Sequence, residues 1–145
     1  MRSKLLHDGG EKTWVLIFDK GDEVVSGLTR FAEEQRLGGS RFTAIGAFSD
    51  VSLGYFDRGR KDYRKIPIDE QVEVLVLAGD IALRDSRPQV HAHVVIGKAD
   101  GTAHGGHLLE AHVWPTLELI LVESPQHLQR EFDGETGLAL IRLQG

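Results

Sequence analysis

The pattern of hydrophobic and polar positions predicts one helix near the start of the chain. The run TWVLIFDK (13–20) is short, apolar and rich in strand-forming residues, which indicates a central strand. Residues 22–37 then place apolar side chains at helical spacing. Asp22 is suited to cap the start of this segment, and Gly38 and Gly39 to end it. We therefore predict the main helix over residues 22–37.

Strand patterns dominate the rest of the chain. The predicted strands after the helix are RFTAIGAF (41–48), DVSLGYFD (50–57), VEVLVLAGDIAL (72–83), QVHAHVVIG (89–97), VWPTLELILVE (113–123) and LALIRL (138–143). Within the third of these, Gly79–Asp80 is a candidate turn. The apolar runs 72–77 and 117–122 are typical of strands buried on both faces, in a closed or curved sheet or beneath a partner subunit.

One helix and about seven strands predict an α+β domain, in which a largely antiparallel sheet packs on the helix. The length of 145 residues suits a single domain over residues 1–145. Hydrophobic residues make up 41% of the chain and charged residues 27%, as in globular proteins. These values exclude the disordered and fibrous classes.

The sequence has no cysteine, which excludes disulfides, thiolate metal sites and cysteine nucleophiles. The first residues turn polar after Leu5 and Leu6, so they do not form the apolar core of a signal peptide. No apolar run approaches the roughly 20 residues of a membrane-spanning helix. We therefore expect a cytoplasmic protein with no membrane partner.

The net charge of −5 argues against nucleic acid as the main partner, because the phosphate backbone favours a basic surface. The segment DRGRKDYRK (57–65) is the local exception, with five basic and two acidic side chains. Its simpler interpretation is a solvated loop between two strands. The alternative is a patch that faces an anion.

Four of the seven histidines lie between residues 91 and 107. His91 and His93 are two residues apart on a predicted strand, so their imidazoles leave the same face, with Cα atoms about 6.6 Å apart. Two imidazoles at this spacing can converge on one zinc ion with bonds of about 2.0–2.1 Å. An HxH pattern on a strand also occurs without metal, so a third ligand is needed.

The turn KADG (98–101) can fold the chain back and bring a third histidine to this pair. His107 follows two glycines, which would let the backbone approach the metal closely. His104 is the competing ligand, and Glu110 could supply a carboxylate as ligand or general base. Three neutral histidines form an open site, in which water or substrate completes the coordination.

The region PQVHAHVVIGKADGTAHGGHLLEAHVWPTLELIL resembles the plant-and-prokaryote-conserved (PPC) domain. Its pattern is P-x-x-H-x-H-x-x-x-G-x-x-x-G-x-x-x-G-G-H-L followed by V-x-x-T-x-E. The matching residues are Pro88, His91, His93, Gly97, Gly101, Gly105, Gly106, His107, Leu108, Val113, Thr116 and Glu118. AIGAFSDVSLGYFD and VEVLVLAGDIAL extend the resemblance over essentially the whole chain.

The resemblance implies an α+β fold with a curved, mixed sheet and one main helix, assembled as a homotrimer and similar to acetolactate decarboxylase. It also implies a divalent metal, usually zinc, on His91, His93 and His107. Plant members are DNA-binding proteins that carry AT-hook segments. This acidic chain has no AT-hook, so DNA as a partner would rest on the plant relatives alone.

Two functions from different classes follow. The first is a stand-alone, trimeric metal-binding module with a regulatory, DNA-associated or small-ligand role. The second is a metal-dependent lyase or hydrolase acting on a small carboxylate or carbonyl compound. In the enzyme, Glu110 or Glu118 would be the general acid/base, and Arg58 or Arg87 would bind an anionic group.

Overall fold

The computed structural model describes residues 1–143 and contains nine strands and one helix within them. The strands are β1 (Arg2–Asp8), β2 (Lys12–Asp19), β3 (Gly39–Asp57), β4 (Asp62–Ile68), β5 (Val72–Arg84), β6 (Arg87–Gly97), β7 (Ala103–Glu123), β8 (Gln129–Asp133) and β9 (Leu138–Arg142). Helix α1 spans Val24–Gln35. Among the described residues, no helix has both the length and the apolar character needed to cross a membrane.

Several predicted strands are parts of longer ones. Segments 41–48 and 50–57 belong to the single strand β3, and 113–123 is the second half of β7. β3 continues through Gly46 because its pairing with β5 is irregular there: the register shifts between Ala44 and Gly46. The strand therefore bends at this point without ending.

The predicted turn at Gly79–Asp80 is wrong, because β5 runs through both residues. A Cβ atom at position 79 would collide with the carbonyl oxygen of His91 and the ring of Phe42. The glycine therefore permits a close approach of neighbouring groups, and its role is in packing.

Strands β1, β4 and β8 are not predicted by the pattern of hydrophobic and polar residues. Every side chain of β1 except Leu5 is exposed, so no apolar alternation marks the strand. The interpretation of segment 57–65 as a loop between two strands holds for the turn at 58–61 only, because β4 begins at Asp62 and pairs with β3. A polar edge strand and a solvated loop have the same composition, and only the pairing distinguishes them.

Four strands close the sheet on itself. β3 pairs with β5 and β7, β5 pairs with β6, and β6 pairs with β7. These pairs are antiparallel, whereas β5 and β8 make one parallel bridge between Leu83 and Gln129. The prediction of a mixed, largely antiparallel sheet is confirmed, and the pairing path is closed.

Helix α1 begins and ends one or more residues inside the predicted bounds. The carboxylate of Glu23 accepts hydrogen bonds from the backbone N–H groups of Val25 and Ser26, so Glu23 caps the helix in place of Asp22. The helix ends at Arg36, which has a left-handed backbone (φ 56°), before Gly38 and Gly39 are reached.

The inner face of the sheet and the apolar side of α1 share one hydrophobic cluster, which includes Leu28, Phe31 and Leu77. The opposite face of the sheet is apolar but exposed. We call it the outer apolar face; it comprises Ile45, Leu75, Val76, Val95 and Ile120, which are 38–59% exposed. The prediction that runs 72–77 and 117–122 are buried on both faces is therefore wrong for this chain alone. Their outward-facing side chains are exposed to solvent.

Candidate metal centre

Three histidines meet on one face of the β6–β7 hairpin. His91 and His93 alternate along β6 with Ala92, which is buried in the core. The turn predicted at residues 98–101 is confirmed, and beyond it β7 runs back along β6. His107 pairs directly with His93, so its side chain lies on the same face.

The geometry of this cluster suits a metal ion. One ring nitrogen from each of the three histidines lies within 4.8 Å of the others, and the ring centroids are 5.1–5.5 Å apart. On a tetrahedral zinc ion with bonds of about 2.0–2.1 Å, such nitrogens would lie about 3.4 Å apart.

His104 does not join the cluster. It pairs with Ile96, a buried residue, and is three positions from His107, so its side chain leaves the opposite face of the hairpin. Its Nε2 atom lies 3.4 Å from the hydroxyl of Thr102 at the exposed turn. The group of converging histidines therefore contains His107 and not His104.

The surroundings of His93 and His107 favour their neutral forms. Burial, together with the nearby His91 and His93, lowers the pKa of His107 from 6.5 to about 4. Burial and His91 also lower the pKa of His93. The Nδ1 atom of His107 is buried and has no hydrogen-bond partner among the described residues. Neutral imidazoles with an unpartnered nitrogen are the form that binds a metal ion.

Side chains from three other strands surround the cluster. The ring of Tyr63 stacks on His107, with centroids 4.4 Å apart and planes 26° apart. A carboxylate oxygen of Asp80 lies 3.8 Å from Nδ1 of His91, and Arg130 binds the same carboxylate. Such partners orient metal-binding imidazoles. Sequence reasoning missed all three, because no spacing rule links residues 63, 80 and 130 to the histidines.

The two glycines before His107 have a different role from the one expected. A Cβ atom at Gly106 would lie 2.8 Å from the carbonyl oxygen of Gly54 in β3. At Gly105 it would lie 3.1 Å from the carbonyl oxygen of Val94 in β6. The glycines therefore allow β7 to approach its two neighbouring strands, and this packing fixes where His107 stands.

The remaining candidates lie elsewhere. Glu110 lines a groove beside α1, together with Glu23. Glu118 is an exposed residue in the middle of the outer apolar face, where it pairs with Ile45. Arg58 lies in the exposed turn between β3 and β4, and Arg87 forms an ion pair with Glu33. The three-histidine group includes none of the four.

The protein is therefore a small domain with a closed mixed sheet and a three-histidine cluster on one hairpin. Residues 7–125 match the sequence model of the Plants and Prokaryotes Conserved (PCC) domain. The chain belongs to this family, and the resemblance carried by its histidine motif is confirmed.

Solved structures agree with this assignment. A metal-containing protein from Archaeoglobus fulgidus is 35% identical, with a TM-score of 0.85 over 97% of this chain and 99% of that chain. A PPC protein from Pyrococcus horikoshii is 28% identical, with a TM-score of 0.85 over 99% and 96%. A candidate DNA-binding protein from Ralstonia eutropha JMP134 is 28% identical, with a TM-score of 0.84 over 90% and 91%.

Two further likenesses cover only part of the other protein. A Staphylococcus aureus protein similar to alpha-acetolactate decarboxylase is 12% identical, with a TM-score of 0.56 over 79% of this chain and 53% of that chain, which is a likeness of fold. The bifunctional protein GlmU of Synechococcus sp. (strain JA-3-3Ab) is 28% identical over 99% of this chain. The chain spans about a fifth of the length of this curated relative, 22%.

Proposed function

We propose that this PCC-domain protein is a homotrimeric zinc-binding module whose three-histidine site takes a small ligand. The carrying observation is the convergence of His91, His93 and His107, whose ring nitrogens lie within 4.8 Å of one another. The metal-containing relative from Archaeoglobus fulgidus supports the proposal. The neutral donor set favours zinc, which imidazole nitrogens bind well.

The same donors leave room for a ligand. His91, His93 and His107 would hold the ion with three nitrogens, which would leave a position for water or a ligand oxygen. When bound, zinc supplies a positive charge that polarises such an oxygen or lowers the pKa of a bound water. Around it, Asp80 would hold His91 in place and Tyr63 would support the ring of His107.

The experiment for the metal site is elemental analysis of protein purified without added metal. We expect about one divalent ion per chain, and its loss in His91→Ala and His107→Ala. His104→Ala is the matched control, because that imidazole lies on the other face of the same hairpin. Full metal retention in both triad variants would overturn the site.

The outer apolar face supports the trimer. Ile45, Val76 and Ile120 are 43–59% exposed and line one groove. Contiguous exposed apolar residues are typical of protein contacts. We expect sedimentation to give a trimer, and Ile120→Glu to dissociate it. Lys4→Glu on the exposed strand β1 is the control. A monomer at micromolar concentration in the unchanged protein would contradict the trimer.

A second candidate function is a metal-dependent lyase or hydrolase acting on a small carboxylate or carbonyl compound. A cavity beside the cluster, lined in part by Tyr63, His91 and His107, favours it. Glu110 and Glu118 remain proposals as acid/base groups, and their positions beside α1 and on the outer apolar face give them little support. Turnover of a 2-oxo or 2-hydroxy acid by the zinc-loaded protein, absent without metal, would support the enzyme.

DNA association is the remaining role for the module, and its support is the exposed basic turn at residues 58–61 together with the Ralstonia relative. The net charge of −5 opposes it. If DNA binds through this turn, reversing the charges of Arg58, Arg60 and Lys61 will abolish binding in a mobility-shift assay. Binding that survives the reversal would exclude the turn.

A further inference from the structure

Most of the buried, unpartnered polar atoms in residues 1–143 belong to side chains that line one cavity. Four buried side-chain atoms in this part of the chain have no hydrogen-bond partner, and three of them, Oε1 of Gln89, Nδ1 of His107 and Nε of Arg130, belong to residues that line one cavity. The cavity has a volume of about 240 Å³ and lies between the histidine cluster and the β8–β9 hairpin. Buried polar groups are normally paired, so such a concentration points to a bound partner.

An unpartnered arginine donor in the cavity lining favours an anion. The side chain of Arg130 is 6% exposed, and its two terminal nitrogens bind the carboxylate of Asp80 and the carbonyl oxygen of Ala139. Its Nε–H donor remains free. Arg84 lines the same cavity and is half-exposed. Arg84 is paired with the exposed carboxylate of Asp85, at 3.8 Å between Nε and Oδ2. The Nε–H of Arg130 is therefore the charged donor that is left for a second carboxylate, and Arg84 adds a half-exposed positive charge to the lining.

The cavity also offers an acceptor and an apolar wall. The free oxygen of Gln89 accepts a hydrogen bond, so it fits a ligand that carries a hydroxyl group. Val90, Leu138 and Leu140 line the rest of the cavity. At about 30 Å³ per non-hydrogen atom, as in liquid water, a cavity of this volume holds about eight such atoms.

We propose that this cavity binds a small hydroxy carboxylate with a short apolar tail. Its carboxylate accepts from Arg130 Nε and is held by the charge of Arg84, and its hydroxyl donates to Gln89. His91 and His107 form one wall, so the ligand lies next to the proposed metal position. The inference rests on the proposed function and names the class of ligand for that site.

Part of this cavity lies outside the family motif. Arg130 and the residues 137–140 that close the cavity follow the segment 7–125 that matches the family. The ligand class is therefore set by the hairpin that this chain folds over its histidines, in addition to the histidines themselves.

The test is calorimetry with two probes that differ by one hydroxyl group, 2-hydroxy-3-methylbutanoate and 3-methylbutanoate. Zinc-loaded and metal-free protein are both titrated, and zinc content is measured in every sample. We expect the hydroxy acid to bind at least about tenfold more tightly, since one satisfied buried acceptor is worth about 1 kcal/mol or more, close to a factor of ten. Equal affinity for the two probes would overturn the role of Gln89.

Variants separate the two ends of the ligand. Gln89→Leu should remove the preference for the hydroxy acid and keep the zinc. Arg130→Lys retains a charge for Asp80 but has no Nε donor, so both probes should bind about tenfold more weakly. Arg84→Gln serves if Arg130→Lys does not fold. Arg87→Gln is the matched control, because this arginine on β6 pairs with Glu33 and does not line the cavity.

The outcomes distinguish this inference from the proposed function. Zinc bound at one ion per chain, with neither probe binding, would overturn the ligand class and leave the metal site standing. Probes that bind with the expected preference to a protein that takes up no zinc would support the cavity and overturn the metal site. Unchanged binding in both Gln89→Leu and Arg84→Gln would place the probes elsewhere and overturn the inference.

Discussion

Two polar clusters in this protein differ in how completely the hydrogen bonds of their buried atoms are formed. At the start of β3, the carboxylate of Glu123 accepts hydrogen bonds from the backbone N–H groups of Gly38 and Gly39 and from the hydroxyl of Ser40. At the histidine cluster, His107 and Arg130 each retain a buried nitrogen with no partner among residues 1–143. The buried oxygens of Glu123 have hydrogen-bond donors within the described chain, whereas these two nitrogens have no partner there.

The difference separates a structural role from a binding role. A buried polar group with its partners stabilises the fold modestly, whereas an unpaired one destabilises it by about 1–3 kcal/mol. The Glu123 cluster ties the end of β7 to the start of β3, and its removal should harm folding. The histidine cluster loses stability in the free protein and should regain it when its ligands bind. Substitutions in the two clusters should therefore have opposite effects.

The largest expected effect is on zinc affinity in His107→Ala. Removing one of three ligands should weaken zinc binding by more than about a hundredfold, because even partners of ligands contribute 10–100-fold. The free energy of unfolding of the metal-free protein should change little, because the removal of a buried unpartnered nitrogen offsets the lost packing of the ring on Tyr63. Competition with a chelating dye and thermal unfolding measure the two quantities. A large loss of metal-free stability would break the comparison.

The opposite result is expected for Glu123→Ala. Two backbone N–H groups and the hydroxyl of Ser40 lose a charged acceptor, which should cost about 3 kcal/mol of unfolding free energy. For a chain of this length that corresponds to a decrease in Tm of roughly 6–12 °C. The zinc affinity of the folded protein should not change. Glu131→Ala, at an exposed position in β8, is the control.

A smaller effect at the helix start sharpens the comparison. Glu23 accepts from Val25 and Ser26 and from the backbone N–H of Ala111 in β7. Burial alone would raise the pKa of Glu23, but these hydrogen bonds lower it below its ordinary value. Glu23→Ala should cost about 1 kcal/mol in urea unfolding, as for other helix caps. Glu34→Ala, exposed near the end of the helix, should have no such effect.

The smallest effect concerns the surface pair of His112 and Asp50, whose Nδ1 and Oδ1 atoms are 2.8 Å apart. The hydrogen bond to Asp50 raises the pKa of His112, and the bond from His112 lowers the pKa of Asp50. The stabilisation is therefore lost as pH rises through the raised pKa of His112 and as pH falls through the lowered pKa of Asp50. It is fully present between the ordinary values, about 3.9 and 6.5.

We expect His112→Gln to remove this dependence. Both side chains are more than a third exposed, so the contribution should stay below about 1 kcal/mol. Unfolding free energies at pH 5 and pH 9 should differ less in the variant than in the unchanged protein. A difference that persists in full would assign the dependence to another pair.

The sequence predicts the parts of this fold that depend on local pattern. The helix, the β6–β7 turn and the side of β6 that carries His91 and His93 follow from spacing alone. The family motif adds His107. Strand β1 and the exact caps of α1 could not be predicted, because an exposed edge strand has no apolar period and Glu23 competes with Asp22 for the same position.

The environment of the site depends on contacts that are distant in sequence. Tyr63, Asp80 and Arg130 reach the histidines through strand pairings that no local pattern encodes. Arg58 and Arg87, the arginines that the sequence suggests for an anionic group, do not line the cavity, whereas Arg84 and Arg130 do. Which arginines line a cavity depends on strand pairing and cannot be predicted from position in the sequence.

The direct pairing of His93 with His107 has a consequence for how the hairpin forms. Side chains alternate between the two faces of a strand. If the register of β6 and β7 shifted by one residue, His93 and His107 would no longer pair directly. Glycine-rich strands such as the start of β7 specify their alignment weakly. A zinc ion bound by all three imidazoles would hold only the correctly aligned hairpin and stabilise it by mass action. The same three histidines would thus stabilise the correct register of the two strands that carry them.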